Sequence, residues 1–331
     1  MRLCTANESV IKQAVNLLHQ GCLVAFPTET VYGLGADASN PEAVARIFAA
    51  KGRPANHPLI VHIADSACLS DWAENIPDNA FKLAEHFWPG PLAIILNKKD
   101  CVPMSVTGGQ NTVGLRVPNH PVALQLLREF GGGIAAPSAN RFCRISPTQA
   151  AHVAEELGDA VDLILDGGAC EVGVESTIID LSGNTPRLLR YGYITVEQIQ
   201  AVLQTELIVP GNAKQIPSDE IRAPGMMAVH YAPLTTALLC PSDHLQNLIN
   251  TLTSENKKIA VMSYQTSITE TSQIYVIKMP ATAETYAQYL YAALRELDHQ
   301  QHDVIVVEQP PTGAQWSAIN DRLEKATLSA R

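Results

Sequence analysis

The 331-residue chain lacks the marks of several functional classes. No apolar run approaches the roughly 20 residues of a membrane span, so no membrane partner is expected. No C-x-x-C pair occurs, and the seven cysteines (Cys4, Cys22, Cys68, Cys101, Cys143, Cys170, Cys240) are scattered. Such a set reads as reduced, small apolar fillers and points to a cytoplasmic protein. His and Cys at zinc spacing are absent, so no metal-binding residue is expected. There is no G-x-S-x-G and no cysteine in an activating context. The start, "MRLCTANESVIKQAVNLLHQ", is polar and amphipathic and is not expected to be a secretory leader.

Positive charge is also scarce. The formal net charge is -10. Residues 1–205 carry 14 basic and 20 acidic side chains, and residues 206–331 carry 9 and 13. Neither half is a polycation, so nucleic-acid binding cannot rest on bulk charge; a local basic cleft stays open.

What is present is an alternation of helical and strand-like patterns. In residues 1–205, "ESVIKQAVNLLHQ", "PEAVARIFAAK", "AFKLAEHFW", "HPVALQLLREF", "TQAAHVAEELG" and "TVEQIQAVL" have helical spacing. "CLVAF", "LIVHI", "LAIIL", "TVGLRV", "GIAA", "VDLILD", "STIIDL" and "RLLR" read as strands. Several strands follow one another without a helix, so the expected sheet contains antiparallel pairs. Residues 206–230 are rich in Pro and Gly, lack a period, and read as a linker. Residues 231–331 repeat an α/β pattern without a glycine fingerprint, a small Rossmann-like unit.

"LVAFPTETVYGLGADASN" contains Gly33-x-Gly35-x-x-Ala38, the skeleton of a dinucleotide fingerprint. A Rossmann site needs the strand to run straight into the glycines and the helix to open there. Here six residues separate Phe26 from Gly33, and the helix starts only near Pro41. The NAD reading is therefore rejected. Pro27-Thr28-Glu29-Thr30 is more informative: it places three polar side chains at a strand end, either as a plain turn or as contacts for a small polar ligand.

Lys51 and Arg53 flank Gly52 at a helix end, fit either to complement the dipole or to clamp a polyphosphate. His57 and His62 flank the next strand. Arg116 ends an apolar run and needs an anionic partner. Ser138-x-Asn140, Arg141, Arg144 and Ser146 follow a Gly-rich strand; Ser176 and Thr177 open another, and Arg190 ends one. Ser-x-Asn fits an anion or ribose, or a turn held by local bonds. Together these describe one cleft of Lys, Arg, Ser, Thr and Asn at strand ends, a nucleotide and small-acid site with no obvious nucleophile.

"FPTETVYGLGADA", "KGRP", "PLIVHI", "WPGPL", "VGLRVPNHP", "APSAN", "GVESTIIDL" and "LLRYG", in this order, resemble the YrdC-like family of L-threonylcarbamoyladenylate synthases. "APGMMAVHYAP" and "AINDRLEKAT" are similar to its long two-domain form. The resemblance implies an α/β fold: a YrdC-like twisted mixed-sheet domain (1–205), the linker, and a smaller Rossmann-like domain. It implies that L-threonine, bicarbonate and ATP give threonylcarbamoyl-AMP and pyrophosphate, with Mg2+ on the triphosphate. Downstream transferase proteins would pass the group to an adenosine in tRNA, and direct tRNA or double-stranded RNA binding is possible. By motif, Lys51, Arg53, Ser138 and Asn140 are implied around the phosphates as catalytic groups. Thr112, Ser146, Arg190 and His57 match ATP positions; His57 stands where many members have Asn. Thr30, His62, Arg116, Ala136 and Ser176 match threonine positions. An RNA-binding module and a carbamoyl-adenylating enzyme with another acceptor are the alternatives.

Overall fold

The computed structural model describes residues 2–210 and 221–328. The middle of the expected linker, 211–220, lies outside the described residues. Contacts divide the chain into two compact units: residues 1–142, 147–171 and 175–226, and residues 143–146, 172–174 and 227–331.

The first unit runs β1 (Leu3–Thr5), α1 (Glu8–His19), β2 (Val24–Phe26), β3 (Gly33–Asp37), α2 (Pro41–Lys51), β4 (Ile60–His62), α3 (Leu69–Trp72), α4 (Asp78–Phe87), β5 (Leu92–Asn97) and α5 (Met104–Thr107). It continues with β6 (Thr112–Arg116), α6 (Pro121–Phe130), β7 (Ile134–Ala135), α7 (Ala150–Leu157), β8 (Leu163–Asp166), β9 (Thr177–Asp180), β10 (Arg187–Arg190) and α8 (Val196–Leu203). The strands make one mixed sheet in the order β1-β8-β2-β3-β7-β4-β6-β5-β9-β10. The expected antiparallel pairs are there: β2 with β3, β5 with β6, and β9 with β10.

Local chemistry sets the helix that leads to the cationic pair. Asn40 caps α2 by accepting from the Glu42 and Ala43 amides, and Pro41 occupies its first turn. Gly52 ends it in a left-handed conformation, φ 61°, as a glycine stop does. Ala43, Val44, Ile47 and Phe48 bury its inner face in the main core. Lys51, on the last turn, is buried as well.

Gly33 and Gly35 are not in a loop: they form part of β3. A Cβ on Gly35 would meet Phe26 Cε1 at 2.8 Å and Ile134 Cγ2 at 2.9 Å. The glycines of the false fingerprint therefore serve close packing between neighbouring strands.

The second unit is a four-stranded parallel sheet. It comprises β11 (Ala237–Cys240), α9 (Ser242–Ser254), β12 (Ile259–Ser263), β13 (Ile274–Lys278), α10 (Ala283–His299), β14 (Val304–Glu308) and α11 (Ser317–Thr327). The strand order is β11-β14-β12-β13. Residues 143–146 belong to this unit although they lie early in the sequence. The Cys143 carbonyl accepts from the Ala232 amide at 2.9 Å, and Arg295 donates to the Ile145 carbonyl. Asp298 takes the Leu234 and Thr235 amides at 2.8 and 2.7 Å and faces Arg144 at 3.5 Å. Among the described residues, no helix is long and apolar enough to cross a membrane.

Candidate active site

Strand ends of the first unit gather most of the residues singled out above. The Pro27–Tyr32 loop is built by Thr28. Its hydroxyl donates to the Val31 carbonyl at 2.6 Å and accepts from the Thr30 and Val31 amides at 3.2 Å. This is the plain-turn chemistry that the sequence left open. The same turn aims Glu29 and Thr30 at Arg116, which is 4% exposed. Arg116 Nη1 donates to Thr30 Oγ1 at 2.9 Å and Nε to the Gly90 carbonyl at 3.2 Å. Its Nη2 lies 2.7 Å from Glu29 Oε1, an ion pair. The acid that a buried Arg116 demands is thus Glu29, a partner the sequence reading did not name. The only signal for it was the demand itself, because 86 residues separate Arg116 even from neighbouring Thr30.

His62 stands beside Arg116 in the paired β4 and β6 register. Burial, then the Arg116 charge, pull its pKa down to about 3, so the ring is neutral. Its Nδ1 is buried without a hydrogen-bond partner. Ala136 follows β7, and its amide donates to the Ile60 carbonyl at 3.0 Å. Burial likewise pushes the Cys170 thiol up, with Glu29 adding to the shift.

Lys51 reaches from the end of α2 to the Ser138-Ala139-Asn140 loop, where Nζ donates to the carbonyls of Ser138 and Asn140. The Ala139 amide in turn donates to the Tyr32 carbonyl at 2.8 Å. One cation thereby straps the Ser-x-Asn loop, and that loop is zipped to the Pro27–Tyr32 turn. Arg53 donates to the Pro58 carbonyl at 2.9 Å and lies 5.7 Å from the Phe142 ring centre. His57 packs on the same ring at 5.3 Å. Burial, Arg53 and Arg222 hold its pKa below the usual histidine value.

Arg190 donates to Ser176 through both carbonyl and hydroxyl, each at 3.0 Å. Its Nη1 reaches the Pro224 carbonyl at 3.1 Å. Residues 221–226, part of the 206–230 stretch expected to be a linker, therefore pack within the first unit. Arg222 donates to the Asn56 and Gly108 carbonyls, both at 2.8 Å. Ile221 and Ala223 join the apolar cluster of Ile60, Ala93, Ile95, Ile178 and Leu189.

One expected position lies at the other end of its strand from Arg116, and another groups with the second unit. Thr112 opens β6 whereas Arg116 closes it, about 13 Å along the strand. Ser146 is fully buried but belongs to the second unit. Among the described residues no cluster of His, Cys, Asp or Glu could hold a metal ion. The donor set is cationic and hydroxylic, suited to anions.

The Sua5/YciO/YrdC family, described as telomere recombination, matches residues 16–192. The chain belongs to it. A second family, described as the threonylcarbamoyl-AMP synthase C-terminal domain, matches residues 194–327. The threonylcarbamoyl-AMP synthase of Bacillus subtilis is 42% identical over 97% of this chain and 94% of its own. That of Pyrococcus abyssi is also 42% identical, with the same coverage. The crystal structure of P. abyssi Sua5 complexed with L-threonine superposes with a TM-score of 0.91 at 40% identity, covering 98% of this chain and 96% of that one. The fold expected from the sequence, a YrdC-like mixed-sheet unit plus a smaller α/β unit, is the fold of this Sua5 structure.

Proposed function

We propose that the protein is a threonylcarbamoyl-AMP synthase. L-threonine, bicarbonate and ATP give threonylcarbamoyl-AMP and pyrophosphate, and the product feeds threonylcarbamoyladenosine formation in tRNA. The observation that carries this reading is full-length similarity to two threonylcarbamoyl-AMP synthases, joined to a buried Arg116 at a strand end beside Thr30 and His62.

The chemistry asks for little covalent help. Threonine nitrogen forms a carbamate, whose oxygen attacks the α-phosphorus as pyrophosphate leaves. Positioning and neutralising charge lower that barrier. Arg116 pairs with the threonine carboxylate. Thr30, neutral His62, the Ala136 backbone and Ser176 line the same subsite. Arg53, Arg190 and the Ser138–Asn140 loop, strapped by Lys51, take the nucleotide, with His57 and Thr112 as further contacts. Magnesium travels with the triphosphate as its counter-ion. A separate transferase receives the adenylate, and the reaction takes place in the cytoplasm.

Product analysis tests the reading. Incubation with ATP, magnesium, bicarbonate and L-threonine should yield a mass corresponding to threonylcarbamoyl-AMP. A carbamoyl-adenylate lacking threonine would instead point to another acceptor.

A further inference from the structure

Glu29 has no part in the roles above, yet the residue is 3% exposed and is ion-paired with Arg116, the residue proposed for the threonine carboxylate. We propose that Glu29 binds the α-ammonium group of L-threonine and accepts its proton, which frees the amine to form the carbamate. The inference rests on the threonine-subsite reading.

The reaction requires such a group. At neutral pH an α-amino acid arrives with its nitrogen protonated, and an ammonium has no lone pair to attack carbon. A base within hydrogen-bond reach must take the proton. The titratable groups that face Glu29 are Arg116, Cys170 and His120. Arg116 is a permanent cation. The Cys170 thiol is pushed up by burial and stays protonated. His120 is held below the usual histidine value, chiefly by burial, and its Nδ1 already accepts from the Val122 amide at 3.2 Å. His62, across Arg116, titrates at about 3, so it binds a proton poorly. The carboxylate of Glu29 remains.

Its geometry is suited to the task. Oε1 is ion-paired with Arg116 Nη2 at 2.7 Å, and Oε2 is buried without a hydrogen-bond partner. Acceptor capacity is therefore held in reserve in a buried place. Arg116 and Glu29 present adjacent positive and negative charges, the complement of a zwitterion. Threonine carboxylate on Arg116 sets its ammonium towards Glu29.

Charge after the step favours the same assignment. The carbamate is an anion formed on that very nitrogen. An ionised Glu29 beside it would place two anions together in a buried site, which is strongly unfavourable. A Glu29 that has just taken the proton is neutral and can donate to the carbamate.

The step balances. The N–H bond of R–NH3+ breaks, its electron pair stays on nitrogen, and Glu29–COO− becomes Glu29–COOH. The amine then bonds to the carbon of bicarbonate: R–NH2 plus HCO3− gives R–NH–COO− plus H2O. Glu29 returns its proton to solvent at the end of the cycle.

The experiment measures threonine-dependent pyrophosphate release against pH for the full chain and for Glu29→Gln. Near pH 7 the Gln variant should lose about 100-fold or more in kcat/KM for threonine. It should recover roughly tenfold per pH unit as solution supplies free amine. The reverse reaction, ATP from threonylcarbamoyl-AMP and pyrophosphate, moves no amine proton in its adenylyl-transfer step. Any loss in that direction should not vary with pH, and a cooperative thermal unfolding transition shows separately that the variant is folded. Wild-type kcat/KM in Glu29→Gln would overturn the proposal. So would equal losses in both directions without the pH recovery, which describe a structural role. If Glu29→Gln does not fold, Glu29→Asp decides. It should keep the wild-type pH profile with a lowered kcat, and an unchanged kcat would overturn the proposal. Absence of threonine-dependent release in the wild type would instead break the subsite reading itself.

Discussion

Arg190 donates from Nη2 to the Ser176 hydroxyl and from Nε to the Ser176 carbonyl, each at 3.0 Å. A residue proposed for the nucleotide thus holds one proposed for threonine. The two subsites share a bond, so damage to one should be felt in the other. Replacing Arg190 with Met removes charge-assisted bonds of about 1.5–3 kcal/mol each. The expected outcome is KM raised roughly tenfold or more for both ATP and threonine. Steady-state kinetics with each substrate varied checks it; a change confined to ATP would separate the subsites.

Lys51 carries a different load. Its ammonium satisfies two carbonyls of the Ser-x-Asn loop. Lys51→Met leaves both without that donor, at about 1–3 kcal/mol for a buried acceptor. Thermal unfolding should shift down and pyrophosphate release should fall at least about 100-fold. Arg should not rescue it, because a planar fork does not replace a compact ammonium.

His62 makes stability depend on pH. Its folded pKa is about 3, well below the unfolded value near 6.5. Between these values the unfolded chain binds the extra proton. Stability is therefore lost as pH falls through this window, by about 1.4 kcal/mol per pH unit from this group. Denaturant titrations of wild type and His62→Gln at pH 7 and pH 5 should show the wild type losing more. An equal loss would place the His62 pKa near its ordinary value.

Gly35→Ala places a methyl against Phe26 and Ile134 at under 3 Å. The expected cost is about 1–3 kcal/mol of stability, read from chemical denaturation. A neutral outcome would mean that β3 can move away from its neighbours.

Arg222→Ala tests the packing of residues 221–226 within the first unit. Its guanidinium bonds to Asn56 and Gly108 beside His57. A few-fold rise in KM for ATP is expected, with threonine binding little changed. Unchanged kinetics would leave the segment a structural tether.

Much of the architecture was legible in the sequence, for stated reasons. The α2 helix showed its Pro start and its apolar spacing, and its boundaries match Pro41–Lys51. β3 was missed because Gly-Leu-Gly-Ala-Asp has no strand propensity of its own; pairing with β2 and β7 supplies it. β1 was missed because only three half-open residues, Leu3–Thr5, pair at the sheet edge. In the site, Arg116 was legible as a charge in an apolar strand. Glu29 as its partner was not, because no local pattern links the two. Residues Ile221–Ala223 read as linker because their apolar partners lie on distant strands.

The most direct measurement is pyrophosphate release from ATP with magnesium and bicarbonate, with and without L-threonine, for wild type and Lys51→Ala. Release should require threonine and collapse in the variant. Release independent of threonine would contradict the threonine subsite at Thr30, His62, Arg116 and Ser176, and with it the proposed activity.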